Sequence, residues 1–395
     1  MSSAQRRGDD LVRLVEEMAP RILERAAQHD REGSLPFESV EALRDAGYLR
    51  AAIPREYGGD GYGLPALVES QMALARADGS TALGIGMHLI VCGTEGSARS
   101  WPEPARARIF EDVVRRGALL NFVAAEPELG SPQGGGRPRT SLRRDGEGRW
   151  RLSGRKTFTT FAPALTYFIT YVAYDDATGQ VGRVAVHREL PGVRIEETWD
   201  ALGMRASASH DVIFEDVPLT DADILTRHSL GARSPMAESA WFPLLVGAAY
   251  FGVAEAARDY AVAFARGRTP TGYPAPIAKI PHVREQVGRM DALRFAVRAL
   301  MLETAEEWEA HPDARGKLGA KVAAAKRLAA NSAVEICEIA MRIVGGAGLR
   351  RAEPLERYFR DVRGGLINPP IEARALDTIA AAALDGGEEA GGKGE

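Results

Sequence analysis

The sequence is poor in cysteine and in long apolar runs. It has only two cysteines, Cys92 and Cys337, and both lie in apolar, helix-like segments. Buried free thiols in a reducing compartment are therefore a better interpretation than a disulfide. No apolar run approaches the roughly 18 residues of a membrane-spanning helix, so we expect no membrane insertion. The charged N-terminal segment lacks the apolar core of a signal peptide, and we expect a cytoplasmic protein.

The chain also lacks an excess of charge of either sign. Its formal net charge is −4, with 26% charged and 45% apolar residues. This balance is ordinary for a soluble globular protein and provides no basic field that would favour nucleic acid as a partner. The length of 395 residues exceeds what one small core organises, so two or three domains are expected.

The periodicity of apolar residues changes twice along the chain. Helical spacing through residues 1–117 predicts an N-terminal α domain. Residues 118–228 alternate and turn every eight to twelve residues or so, which is typical of an antiparallel β domain and not of βαβ units. Helical spacing returns in residues 235–384, and the Gly- and charge-rich residues 385–395 predict a disordered tail.

Four local motifs occur in order across these regions. They are AAEP at 124–127 with LGS at 129–131; GRKTFTT at 154–160; LGMRAS at 202–207 with FEDV at 214–217; and IVGGAG at 343–348 with PLER at 354–357 and RD at 360–361. Together they resemble the acyl-CoA dehydrogenase superfamily over about residues 10–384. The resemblance implies an α+β fold with an N-terminal α-helical domain, a middle antiparallel β domain and a C-terminal four-helix bundle.

In that superfamily the middle and C-terminal domains hold FAD, and the protein is a dimer or tetramer in which a neighbouring subunit completes each flavin site. The resemblance therefore implies a flavin cofactor and a homo-oligomer. Thr160 would place its hydroxyl or amide near flavin N5, and Phe158 would pack on the flavin ring. Ala124 and Ala125 would offer backbone groups to the pyrimidine edge, and Ser131 would contact substrate or a cofactor phosphate.

The adenosine half of the cofactor is assigned, by the same resemblance, to the glycines of the fourth motif. Gly345, Gly346 and Gly348 would let the backbone approach it closely, because glycine has no Cβ. An arginine near the end of the first long C-terminal helix would contact the pyrophosphate. Arg268 or Arg266 is the candidate.

The usual catalytic base of the superfamily is absent. Its glutamate falls at Pro369, which can act neither as a base nor as a backbone N–H donor to a thioester oxygen. Two other carboxylates are candidates: Glu238, near the start of the first long C-terminal helix, and Glu372, three residues after Pro369. Either could instead be an ordinary carboxylate near a helix N-terminus.

Three functions remain open. The first is α,β-dehydrogenation of an acyl thioester, such as a CoA ester, or of a related acyl substrate, with electrons passing to an electron-transfer protein. The second is a two-component flavin monooxygenase, with FMN in place of FAD and a separate flavin reductase. The third is a catalytically silent flavin-binding homologue. His88 is interpreted as a hydrogen-bonded core histidine, with a role near the flavin in a monooxygenase as the alternative. No metal site is predicted.

Overall fold

The computed structural model describes residues 3–128, 135–232 and 239–385. Ser131, Glu238 and the predicted tail from residue 386 onward lie outside the described residues. The chain divides into two compact units, one of residues 1–63 and 80–239, the other of residues 64–79 and 240–395. Neither unit is continuous in sequence, because residues 64–79 belong to the same unit as the C-terminal residues 240–395.

The helices of the N-terminal region follow the predicted apolar periodicity. They are α1 (Ser3–Glu32), α2 (Phe37–Asp45), α3 (Leu64–Ala77), α4 (Gly79–Ala98) and α5 (Glu103–Arg116). In α1, Leu11, Val15 and Ile22 repeat at helical spacing and are buried. Helix α5 ends at Gly117, whose φ of 65° is the left-handed C-cap conformation that glycine adopts readily.

The β region of the first unit forms one mixed, mainly antiparallel sheet. Its described strands are β1 (Leu120–Val123), β2 (Ser141–Arg144), β3 (Trp150–Thr159), β4 (Tyr167–Tyr174), β5 (Val181–His187), β6 (Val193–Glu196), β7 (His210–Leu219) and β8 (Ile224–His228). The order is β6-β7-β3-β2-β4-β5-β8, and β1 pairs in parallel with β4.

Strand β3 is continuous, whereas the alternation pattern predicts two strands at 149–153 and 156–160. Its pairing with β7 shifts register between Leu152 and Gly154. Gly154 has a φ of 150°, and a Cβ there would lie 2.5 Å from the Cα of Thr140. The glycine therefore permits a local irregularity within one strand, and the prediction of a break between two strands is wrong.

The second unit is helical. Besides α3 it contains α6 (Trp241–Gly267), α7 (Pro281–Ala310), α8 (Gly319–Val344), α9 (Leu355–Asp361), α10 (Gly364–Ile367) and α11 (Glu372–Leu384). Close packing of α6 on α3 requires glycine at position 252, where a Cβ would lie 2.3 Å from the carbonyl oxygen of Met72. The α–β–α succession that the sequence predicts is confirmed.

Both cysteines are free and buried, as predicted. Over residues 3–128, 135–232 and 239–385, no helix has the length and apolarity needed to cross a bilayer.

Candidate active site

The first unit has an open cleft of about 610 Å³ beside the end of β3. Its lining comes from the loop after β1, from β3, and from the segment that leads into β7: Pro127, Glu128, Arg155, Thr157, Phe158, Thr198, Trp199, Ser209 and Asp211. The first two sequence motifs therefore meet at one surface, next to residues that shortly follow the third. This cleft is the candidate site in the first unit.

Phe158 presents an apolar ring to the cleft. Its backbone has a φ of 54°, within a register shift of β3 against β7 between Lys156 and Thr159. The side chain is 63% exposed, which is unusual for an aromatic residue in a strand. Its only ring neighbour among the described aromatics is Trp199, edge to face at 6.1 Å between centroids. The exposed ring is available to stack on a flat ligand.

Thr160 lies directly after β3 and is nearly buried. Its hydroxyl accepts a hydrogen bond of 3.1 Å from Ser209 Oγ, which is in turn 2.8 Å from Ser207 Oγ. The Asn121 side-chain amide donates to the Thr160 carbonyl oxygen at 3.0 Å. These contacts fix both the backbone and the hydroxyl of the residue that the family resemblance places near flavin N5.

A buried ion pair fastens the first motif to the second. Lys156 Nζ lies 2.7 Å from Glu126 Oε1 and donates to the carbonyl oxygen of Ala124 at 3.3 Å. The Glu126 carboxylate also accepts hydrogen bonds from the backbone N–H groups of Arg139 and Thr140. Burial favours the neutral acid, but these donors outweigh it and lower the pKa of Glu126. Both residues lie inside sequence motifs, but their pairing is not predicted from the sequence.

The two alanines of the first motif have their carbonyl groups engaged within the protein. Lys156 contacts the carbonyl oxygen of Ala124, and the Thr157 N–H donates to that of Ala125 at 3.0 Å. The predicted contact of Ala124 and Ala125 with a pyrimidine edge stays a prediction.

The polar wall of the cleft is internally neutralised. Arg155 makes ion pairs with Asp211 at 2.6 Å and with Glu196 at 2.7 Å. Thr198 Oγ1 donates to Asp211 at 3.1 Å. Because the guanidinium is already paired, this wall is a polar surface and not a free cationic site.

In the second unit, the glycine turn of the fourth motif is open. Gly345 ends α8 with φ 67° and ψ −147°, a conformation that side chains other than hydrogen disfavour. A Cβ built on Gly345 or Gly346 would meet no described atom within 4 Å. Gly348 differs, because it is buried and its Cβ would lie 3.2 Å from the side chains of Leu355 and Met341. The turn offers exposed backbone at its first two glycines, whereas the third is explained by packing.

The segment at the usual position of the base is held by a buried lysine. Lys326 Nζ donates to three carbonyl oxygens: Gly365 at 2.9 Å, Asn368 at 2.5 Å and Pro370 at 3.0 Å. The Asn368 side chain donates to Tyr250 Oη at 2.6 Å. Burial lowers the pKa of Lys326 to about 8. We call residues 368–370, including Pro369, the proline corner; it presents no carboxylate.

The other predicted residues of the second unit lie at exposed positions. Glu372, at the start of α11, forms an ion pair of 2.6 Å with Arg327, and its side chain is 50% exposed. Arg266 and Arg268 are exposed at the C-terminal end of α6. The catalytic role of Glu372 and the pyrophosphate contact of Arg266 or Arg268 stay predictions.

His88 is a hydrogen-bonded core residue. Its Nε2 lies 2.7 Å from the carbonyl oxygen of Leu49, and the Leu120 N–H donates to Nδ1 at 3.2 Å. Burial lowers the pKa of His88 to about 4, so the ring is neutral at physiological pH. Both ring nitrogens are used in holding β1 and the N-terminal helices together, in agreement with the structural interpretation.

Three family models match the chain in succession. They are described as acyl-CoA dehydrogenase N-terminal domain, middle domain and C-terminal domain, and they match residues 9–100, 121–217 and 231–383. The chain belongs to the acyl-CoA dehydrogenase superfamily. The family resemblance drawn from the four motifs is thereby confirmed.

The relatives of this superfamily member differ in their named activities. It is 39% identical to the putative acyl-CoA dehydrogenase YdbM of Bacillus subtilis, over 93% of this chain and 95% of that protein. It is 34% identical to the amino sugar nitrososynthase RubN8 of Streptomyces rubradiris, over 95% of this chain and 90% of that protein. Among solved structures, KijD3 in complex with FMN and dTDP-3-amino-2,3,6-trideoxy-4-keto-3-methyl-D-glucose superimposes with a TM-score of 0.86 at 31% identity, covering 98% and 95% of the chains.

Proposed function

We propose that this protein is a flavin-dependent monooxygenase that receives reduced flavin from a separate reductase. The observation that carries the proposal is the proline corner. Dehydrogenation of an acyl thioester requires a carboxylate to remove the α-proton, whereas flavin oxygenation requires no such base. At the usual position of that base this chain has Pro369, and its neighbouring carbonyl groups are held by Lys326.

The nearest described carboxylate in sequence does not replace the missing base. Glu372 is half-exposed and paired with Arg327. A general base must be free to accept a proton from the substrate within hydrogen-bond reach, whereas this carboxylate is engaged in an ion pair at a half-exposed position. The geometry of Glu372 therefore supports a reaction that does not need it.

The residues present fit a bound flavin. Phe158 offers an exposed ring for stacking, and Thr160 offers a hydroxyl held in place by Ser209. When bound, the flavin supplies the two electrons of the oxygenation; dioxygen gives one oxygen atom to the substrate and the other leaves as water.

The relatives support a substrate that carries an amino group. RubN8 is named an amino sugar nitrososynthase, and KijD3 is described with FMN and a nucleotide-linked amino sugar. We therefore infer a small amine as the substrate class and FMN as the flavin. We further expect a homo-oligomer, as the superfamily resemblance implies.

The test compares two reactions of the purified protein. In the first, FMN, NADH, a flavin reductase and oxygen are supplied with a dTDP-amino sugar, and the product is analysed for added oxygen by mass spectrometry. In the second, flavin-loaded protein is mixed anaerobically with butyryl-CoA, and bleaching of the flavin is followed. We expect oxygenated amine and no bleaching. Rapid bleaching without oxygenation would overturn the proposal.

Dehydrogenation of an acyl substrate is the second candidate, because YdbM, at 39% identity, is named a putative acyl-CoA dehydrogenase. In that case Glu238 would be the base and an electron-transfer protein the acceptor. Glu238→Gln would then abolish bleaching by butyryl-CoA, while Glu372→Gln would leave it intact.

A further inference from the structure

Three hydroxyl groups form a buried row beside the cleft. Ser207, Ser209 and Thr160 are 0%, 4% and 8% exposed, and their side-chain oxygens follow one another at 2.8 Å and 3.1 Å. We call these three residues the hydroxyl chain. Ser209, the middle member, also lines the cleft, so the hydroxyl chain lies against the candidate site.

The backbone around the hydroxyl chain is fixed by its own hydrogen bonds. The Phe161 N–H donates to the carbonyl oxygen of Ser207 at 2.8 Å, which ties the two segments together. The Asn121 side chain holds the carbonyl of Thr160. Pairing of Thr159 with His210 sets the register next to both segments. The three hydroxyl groups therefore lie in turn and loop segments that are fixed next to the paired ends of β3 and β7.

Counting protons gives the hydroxyl chain a direction. Each hydroxyl carries one proton and can accept through its oxygen. Ser209 donates its proton to Thr160 Oγ1, so the bond between Ser209 and Ser207 must use the proton of Ser207. Among the described residues, none accepts a hydrogen bond from the Thr160 hydroxyl. That proton is left for a group outside the chain.

We propose that Ser209 is a positioning residue that orients the Thr160 hydroxyl as a hydrogen-bond donor towards the flavin. This inference rests on the proposed function, which brings a flavin to this cleft. A hydroxyl that accepts a hydrogen bond is polarised and becomes a stronger donor. Without Ser209, no described donor fixes the rotation of the Thr160 hydroxyl, and its hydrogen bond to the flavin would weaken.

The test measures binding of oxidised FMN by fluorescence titration, together with the visible absorption band of the bound flavin. Thr160→Val and Ser209→Ala should each weaken binding about threefold to tenfold, the range of one hydrogen bond, and move the absorption band towards that of free FMN. Ser209→Thr keeps the hydroxyl and should restore both properties. Ser207→Ala should change less, because Ser209 still donates to Thr160.

Thr170→Val is the matched control for loss of a buried hydroxyl from the same sheet. Thr170 on β4 is fully buried and donates only to the nearby Phe168 carbonyl at 3.2 Å among its described contacts. The Thr170→Val variant should bind FMN with the same affinity as the unaltered protein.

The possible failures are distinguishable. If Ser209→Ala binds FMN normally while Thr160→Val is weakened, Ser209 has no orienting role, although the flavin still lies at Thr160. If both variants bind normally, the flavin is not at this cleft, and the inference and the proposed placement of the flavin both fail. If the unaltered protein binds no flavin, the proposed function fails as well.

Discussion

Two buried lysines, one in each unit, hold functional segments in different ways. Lys156 in the first unit faces a carboxylate, Glu126, which also accepts hydrogen bonds from two backbone N–H groups. Lys326 in the second unit donates to three backbone carbonyl oxygens. The first arrangement couples two full charges, while the second balances one charge with dipoles.

The difference predicts how each site responds to loss of its lysine. Removing one member of a buried ion pair leaves an uncompensated charge, and this costs more than leaving carbonyl groups without a donor. The first unit should therefore be more sensitive to its lysine than the second. Burial lowers the pKa of both lysines to about 8, although Glu126 opposes the shift at Lys156.

The largest expected effect is that of Lys156→Met. The buried Glu126 carboxylate would lose its counter-charge, and we expect a loss of about 3–5 kcal/mol of stability. The measurement is the urea midpoint followed by circular dichroism. The double variant Lys156→Met, Glu126→Gln removes both charges and should recover part of the loss. A double variant as unstable as the sum of both single variants would contradict the charge argument.

Next in size is Lys326→Met. Three carbonyl groups of the 365–370 segment would lose their common donor, and we expect a cost of about 2–3 kcal/mol. Lys321→Met, on the same helix, is the matched control. Lys321 is partly exposed and pairs with Glu303 and Glu307, so its loss should cost about 1 kcal/mol or less. If Lys326→Met lost more stability than Lys156→Met, the predicted difference between the two lysines would be wrong.

The pH dependence of stability tests the effect of burial on Lys326 directly. Burial lowers the pKa of Lys326 from 10.5 to about 8, so between these values the unfolded chain binds more protons than the folded one. Stability rises with pH wherever the unfolded state binds more protons. The urea midpoint of the unaltered protein should therefore rise relative to that of Lys326→Met as pH increases from 8 towards 10. A constant difference across that range would show that Lys326 keeps an ordinary pKa.

The smallest effect is expected for Glu372→Gln. The half-exposed pair of Glu372 with Arg327 should contribute about 1 kcal/mol or less, and oxygenation should be unchanged. Glu338→Gln removes a similarly exposed carboxylate, paired with Arg363 at 3.1 Å, and is the matched control. If Glu372→Gln lowered oxygenation tenfold or more while Glu338→Gln did not, Glu372 would take part in the reaction, and the argument that oxygenation does not need it would fail.

Much of the fold could be predicted from local pattern. Helical apolar spacing predicts one long helix over residues 281–310, and α7 spans Pro281–Ala310. Apolar spacing is a property of neighbouring residues, so it survives without knowledge of the partner surface. The division into units was harder to anticipate, because α3 groups with the C-terminal half through contacts with α6.

The candidate site was only partly predictable. Motif matches brought Phe158 and Thr160 forward, and both lie at or beside the cleft. Ser209 was missed, because a single serine outside a quoted motif carries no local signal. Trp199 was missed for the same reason. Its position shortly before the LGMRAS motif at 202–207 is the one sequence signal that could have identified it.

The sequence by itself determined the element types, the superfamily and the loss of the usual base at Pro369, because each depends on residue identity or local spacing. Only the tertiary structure paired Lys156 with Glu126 across 30 residues and Lys326 with the carbonyl of Pro370 across 44. The same is true of the direction of the hydroxyl chain. Burial and hydrogen-bond geometry between distant segments decide these features, and no local pattern records which distant groups meet.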